Sequence, residues 1–253
     1  MSDKVTVQTL HEMKREGKRI VAAVCYEHQM AQILDRAGAD VLSVGDSVSR
    51  AFLANESEED FTVDHQILFC RAVSKAAKRA LVNCDIPLSA VNGGPKAAAE
   101  AARRVAGEAG AEMVKIDIRE DMDGLYPVVL EVLKTGMPVY PQIGFVNWWE
   151  RNGGDEVHDR IVAKAKALED EGASMIDLTA VTSEVYADVC QALRIPVIGG
   201  QTGPEADGKI YVSYSLVGYQ AAALDREGTG PNAAKYIFDV AKQAFENVRT
   251  GQF

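Results

Sequence analysis

Along the chain, short continuous apolar runs alternate with longer stretches in which apolar residues recur every three or four positions. The runs are Arg19–Tyr26, Val41–Ser47, Ala80–Pro87, Met113–Ile118, Pro138–Gly144, Ser174–Val181 and Pro196–Thr202, with a weaker eighth near Ile210–Leu216. Runs apolar on nearly every residue predict parallel strands buried on both faces. The stretches between them, such as Glu27–Ala37, Lys96–Ala109 and Asp155–Gly172, predict helices, and an amphipathic helix is expected at about Gly230–Val248. Three helix ends share one joint, Gly38-Ala39, Gly110-Ala111 and Gly172-Ala173, each just before a run. Glycine there closes a helix in the left-handed conformation and turns the chain into the sheet. Repeated helix–Gly-Ala–strand joints predict stacked βα units.

The length of 253 residues fits one (β/α)₈ TIM barrel, and no Pro/Gly/Ser-rich linker divides the chain. A single barrel domain over residues 1–253, ending in a C-terminal helix, is the expected organisation. Against 37 Asp+Glu stand 27 Lys+Arg, a net charge of −10, which argues against a nucleic-acid partner. No apolar run is long enough for a membrane span, and Met1-Ser-Asp-Lys-Val-Thr6 lacks the apolar core of a signal peptide. The expected location is the cytoplasm. Cys25, Cys70, Cys84 and Cys190 lie far apart with no Cys-x-x-Cys spacing, which predicts small buried side chains rather than a zinc site or disulfides.

Active sites of such barrels lie at the C-terminal strand ends, so the polar residues that end each run carry the chemistry. Asp46 ends the second run, Asp85 the third and Asp117 the fourth. Three carboxylates converging on one corner repel each other unless a cation lies between them, and oxygen ligands favour Mg²⁺ or a similar hard divalent ion. Such an ion chelates a 2-oxo acid through carboxylate and keto oxygens and stabilises the enolate formed at the adjacent carbon. Lys115 shares the strand face of Asp117 and is placed to neutralise the substrate carboxylate or enolate, and Ser47 offers it a hydroxyl.

Gly45-Asp46-Ser47, Asp85-Ile-Pro87, Met113-Val-Lys115 and Ile195-Pro-Val-Ile-Gly199 resemble the ketopantoate hydroxymethyltransferase family, within the phosphoenolpyruvate mutase/isocitrate lyase superfamily of barrels. The resemblance runs from about Leu10 to Gly199. It implies one-carbon transfer from methylenetetrahydrofolate to 2-oxoisovalerate on a divalent metal, in a homo-oligomer. It also implies Asp46 and Asp85 as metal carboxylates, with Ser47 and Lys115 touching substrate. At four places the chain departs from the family. Asp117 stands where the family has Glu, Gln142 where it has His, and Thr179 where it has its general base, a Glu. The loop Asn147-Trp-Trp-Glu-Arg-Asn-Gly-Gly154 is shorter than the family's.

A threonine hydroxyl does not take a proton unaided at neutral pH. Asp177, two residues before Thr179 on the same face, and Glu150 on the remodelled loop are the candidates to replace the missing base. His28 and His65 are expected to cap or pack, and His158 to be solvated. Trp148 and Trp149 wall a pocket or a subunit contact. The leading expectation is a metal-dependent enzyme that makes or breaks a C–C bond beside the carbonyl of a 2-oxo acid. Two alternatives stay open: a lyase, mutase or hydrolase acting on a phosphonate or branched dicarboxylate, and a metal- and oxo-acid-binding pseudoenzyme without a base.

Overall fold

The computed structural model describes residues 3–147, 154–201 and 203–252. The chain forms two compact units, residues 1–210 and 211–253. In the first, helix α1 (Val7–Arg15) precedes strand β1 (Ile20–Val24), and strands and helices then alternate. They are α2 (His28–Ala37), β2 (Val41–Val44), α3 (Val48–Phe52), α4 (Val63–Ala76), β3 (Leu81–Asp85), α5 (Leu88–Asn92), α6 (Pro95–Ala109) and β4 (Met113–Asp117). There follow α7 (Tyr126–Leu133), β5 (Val139–Gly144), α8 (Gly154–Asp170), β6 (Ile176–Thr179), α9 (Ser183–Ala192), β7 (Val197–Ile198) and β8 (Gly208–Val212), whose last two residues belong to the second unit.

The eight strands form one sheet in the order β7-β6-β5-β4-β3-β2-β1-β8, and pairing from β1 through β7 is parallel. The two ends of that order meet. Asp207 N donates to Val197 O at 3.0 Å and Ile210 N donates to Gly199 O at 3.1 Å. The sheet is therefore a barrel of the expected class. Gly38 and Gly110 close their helices at φ +99° and +77°, the left-handed conformation that their joints predicted.

Side chains alternate along each strand between two cores. Val82, Cys84, Val114, Ile116, Ile143 and Leu178 face outward into a core shared with the helices. Ile20, Val41, Leu81, Met113, Tyr140, Met175 and Ile198 point inward, with Val5 and Leu10 packed against them. Burying each such side chain contributes roughly 1.5–3 kcal/mol. Above this apolar floor the inward positions turn polar: Asn83 and Asp85 on β3, Lys115 and Asp117 on β4, Gln142 on β5, Asp177 and Thr179 on β6. Two residues per step along a strand keep all of them on the inner face.

Two expected boundaries move. The seventh strand shrinks to Val197–Ile198, because the extended backbone ends at Gly199-Gly200. The eighth lies earlier than expected, at Gly208–Val212, and Ser213–Val217 forms a short helix closed by Gly218 at φ +64°. Gly208 starts the strand because a Cβ there would fall 2.0 Å from the Ile20 carbonyl oxygen. Cys25, Cys70 and Cys84 are buried and Cys190 is partly so, all four as free thiols.

The second unit holds that short helix, α10, a 3₁₀ turn at Ala221–Asp225 and α11 (Ala233–Arg249). Asn232 caps α11 by accepting from Lys235 N at 2.8 Å, and its amide donates to Ala223 O at 2.7 Å. No helix among the described residues is long and apolar enough to cross a membrane.

Candidate active site

The polar inner layer is one connected set. Parallel register places Asp85 beside Lys115, Asp117 beside Gln142, Gln142 beside Asp177, and Gly144 beside Thr179. Lys115 Nζ lies 2.9 Å from Asp85 Oδ2 and 3.7 Å from Asp177 Oδ2, and donates to Gln142 Oε1 at 3.0 Å. Gln142 Nε2 donates to Thr179 Oγ1 at 3.0 Å, and that hydroxyl donates to Asp177 Oδ1 at 3.1 Å. Asp85 also accepts from Asn83 Nδ2 at 3.3 Å, and Asn83 Nδ2 in turn reaches Ser43 Oγ at 2.8 Å.

Asp46 and Ser47 sit on the turn after β2. Gly45 admits that turn, since a Cβ there would lie 2.9 Å from Ser47 Oγ and 3.8 Å from Asp85 Oδ2. Ser47 Oγ bonds Tyr26 Oη at 2.8 Å, and the Tyr26 ring meets Phe52 edge-on at 5.2 Å. Asp117 is held by Arg119. Arg119 Nε donates to Asp117 Oδ1 at 2.9 Å, and Nη2 lies 2.5 Å from Oδ2, a bidentate pair. Arg119 also donates to Phe145 O at 3.4 Å.

Burial sets the proton affinities here. It pushes Asp46 up to about 7, with the Asp85 carboxylate adding to the effect. Burial also raises Asp85 and Asp177, each partly offset by Lys115. Burial alone would lower Lys115, but Asp85, Asp177, Asp46 and Asp117 outweigh it and hold the ammonium charged. Asp117 stays below the usual range despite its burial, because Arg119 bonds both oxygens.

Sequence reasoning missed Arg119, Asn83 and Tyr26. Arg119 follows the strand-end Asp117 by two residues, and Asn83 precedes Asp85 by two, so the same-face spacing was the available signal. Glu150, Trp148 and Trp149 lie outside the described residues. His65 caps α4, accepting from Thr62 N at 3.2 Å, and His28 packs at the start of α2 with its ring 3.3 Å from Ala72 O. His158 is not merely solvated, because Asp188 pairs with it at 2.8 Å.

Among the described residues no three His, Cys, Asp or Glu side chains stand together as a metal cluster. Of the three expected acids, Asp117 is bound by Arg119, while Asp46 and Asp85 are a pair close enough for Asp85 to raise the proton affinity of Asp46. The pair still fits a divalent ion. Four carboxyl groups (Asp46, Asp85, Asp117, Asp177) meet two cations (Lys115, Arg119), so acids outnumber cations, and burial favours a proton on Asp46 where nothing else compensates it. Asn83 Oδ1 is also buried with no partner among the described residues. The corner thus has acceptor oxygens to spare, and Mg²⁺ needs only one or two carboxylates with water and substrate completing its shell.

Comparison with known proteins agrees with this architecture. The chain is 36% identical over 226 residues to 3-methyl-2-oxobutanoate hydroxymethyltransferase of Salinibacter ruber, covering 85% of this chain and 83% of that protein. It is 33% identical over 264 residues to the enzyme of that name from Desulforapulum autotrophicum, covering 100% and 97%. Two solved structures share the fold. One is 2,3-dimethylmalate lyase, a PEP mutase/isocitrate lyase superfamily member (TM-score 0.64, 17% identity, 97% and 98% covered). The other is phosphonopyruvate hydrolase in complex with oxalate and Mg²⁺ (TM-score 0.64, 14% identity, 96% and 98% covered). The family model of ketopantoate hydroxymethyltransferase matches residues 4–253, and the chain belongs to that family.

Proposed function

We propose that this chain is a divalent-metal-dependent enzyme that makes or breaks a C–C bond beside the carbonyl of a 2-oxo acid. The substrate assigned is 3-methyl-2-oxobutanoate or a close analogue, the acid named in its relatives. The observation that carries this reading is the excess of acids at the barrel mouth, four buried or half-buried carboxyl groups against two cations. Asp46 and Asp85 would hold the ion. When bound, it supplies Lewis-acid polarisation of the substrate's carboxylate and keto oxygens.

The chain's own residues supply the rest. Lys115, fixed by Asp85, Gln142 and Asp177, provides permanent positive charge for a developing enolate. Ser47, oriented by Tyr26, offers its hydroxyl to the substrate carboxylate. Gln142 ties Lys115 to Thr179 and so fixes the distance between the cation and the hydroxyl.

Calorimetry tests the reading. Mg²⁺ and 3-methyl-2-oxobutanoate added together are expected to bind at one site per chain, with far weaker oxo-acid binding when Mg²⁺ is omitted. A methylene-donor assay with methylenetetrahydrofolate then asks whether the bond-forming direction is used. Oxo-acid binding indifferent to Mg²⁺ would sink the metal-dependent reading.

A further inference from the structure

The β5–β6 corner contains a hydrogen-bond chain whose direction is fixed. An ammonium only donates, so Lys115 forces Gln142 to turn its carbonyl oxygen toward Nζ, at 3.0 Å. The Gln142 amide nitrogen must then face Thr179 Oγ1, at 3.0 Å. With that donor occupying one lone pair, the single proton of Thr179 points at Asp177 Oδ1, 3.1 Å away. Thr179 is half-buried at the mouth, whereas Asp177 beneath it is only 3% exposed.

The backbone is shaped to hold this pair. The next residue, Ala180, has φ +55°, a conformation costing a side-chain-bearing residue about 1–2 kcal/mol. Strained backbone of this kind concentrates at functional sites. Gly144, at φ +112°, packs so closely that a Cβ would lie 2.0 Å from the Thr179 carbonyl oxygen. On the far side of Asp177, a Cβ on Gly199 would fall 3.2 Å from Asp177 Oδ1 and 3.0 Å from Tyr186 Oη, so the glycine leaves room there. The groups facing Asp177 are Lys115, Asp117 and Arg119 from β4 and the residues after it, Tyr140 from β5 and Tyr186 from α9. The Tyr140 and Tyr186 hydroxyls are buried without partners among the described residues.

We propose that Thr179 and Asp177 act together as the base, with Thr179 as the catalytic residue and Asp177 as the positioning residue that receives the proton through it. This rests on the 2-oxo acid reading above. The C–H bond beside the keto group breaks, and its electron pair stays on the substrate as the enolate. The proton joins Thr179 Oγ1 while the hydroxyl's own proton crosses to Asp177 Oδ1. Thr179 is left a neutral hydroxyl and Asp177 becomes a neutral acid. The relay makes a carboxylate the final acceptor, which a lone threonine does not provide. The working form is ionised Asp177, and burial moves its titration above the ordinary carboxylate range, so the rate rises with pH to a plateau.

The test is deuterium wash-in at the third carbon of 3-methyl-2-oxobutanoate, followed by proton NMR on the Mg²⁺-loaded protein across the pH range. Asp177→Asn and Thr179→Val should each exchange at least ~100-fold more slowly than the parent, with Thr179→Ser restoring the rate to within about tenfold. Calorimetric binding of Mg²⁺ with the oxo acid should stay within about threefold in all three variants, which separates the relay from a structural role. The parent's pH inflection should also appear in Thr179→Ser. Exchange within about threefold of the parent in either Asp177→Asn or Thr179→Val overturns the relay. If Asp177→Asn does not fold, the Thr179→Val and Thr179→Ser pair decides alone. A parent protein that binds but does not exchange overturns the relay and leaves the metal and oxo-acid reading standing, and one that does not bind overturns both.

Discussion

The two halves of the barrel mouth solve the same problem, polar groups buried above an apolar floor, in opposite ways. On the β5–β6 side, Gln142, Thr179 and Asp177 satisfy one another in a directed chain that starts at Lys115 and ends on Asp177. On the β2–β4 side, Asp46 and Asp85 face one another, Asn83 Oδ1 has no partner among the described residues, and burial forces Asp46 up to about 7. A buried network that is complete rigidifies its surroundings, whereas an incomplete one is costly unless something from outside completes it. The difference assigns the halves their tasks. In the function proposed above, the acid-rich side would take the cation and the anionic substrate, and the β5–β6 side would act on them.

The sharpest way to break this comparison is to remove an acid from the unbalanced side. Asp85→Ala should cut metal-dependent turnover by at least ~10²-fold, the scale of a lost Lewis-acid site, and unchanged turnover would refute the division. Second, Gly144→Ala should distort the balanced side. Its Cβ would overlap the Thr179 carbonyl oxygen at a positive φ, so urea denaturation should report a loss of about 1–3 kcal/mol.

A pH series sharpens the contrast more gently. Folding raises Asp46 from 3.8 to about 7, so the folded protein holds that proton more tightly than the unfolded chain. The stability this group contributes is therefore present at low pH and lost as pH rises through that window. With Asp46 as the proposed ligand, Mg²⁺ would compete with the same proton, and its affinity should climb up to about tenfold per pH unit below about 7 and flatten above. Calorimetry at several pH values checks this, and a flat profile would place the ion elsewhere. The smallest expected effect is Ala180→Gly. It relieves the left-handed strain but adds unfolded-state entropy, so stability should change by under about 1 kcal/mol in thermal denaturation.

Most of the barrel was legible because a buried parallel strand must be apolar on both faces, and that pattern survives in one dimension. The runs around β1 to β6 predicted their strands closely, and the Gly38 and Gly110 joints marked the helix ends. The last two strands were harder. Gly199-Gly200 and Gly208 are placed by close backbone approach, to Leu178 O for Gly199 and to Ile20 O for Gly208, and neither contact leaves a local trace. At the candidate site, strand-end position pointed to Asp117, same-face spacing to Lys115 and Asp177, and family resemblance to Thr179. It did not find Arg119, because an arginine just beyond a strand usually faces solvent, and only the folded turn brings its guanidinium onto Asp117.

By itself the sequence determined the repeated βα unit, the polar strand ends and the hydroxyl of Thr179 two residues beyond Asp177. These are properties of spacing and residue type. The tertiary structure alone decided which charges meet. Asp117 is neutralised by Arg119, Lys115 is shared between Asp85 and Asp177, and the Thr179 proton is directed onto a carboxylate two residues back. The reason is that the Lys115 partners are set by register across neighbouring strands, while the Asp117–Arg119 and Asp177–Thr179 pairs, close in sequence, are fixed by the turn beyond β4 and by the Gln142 donor on the adjacent strand.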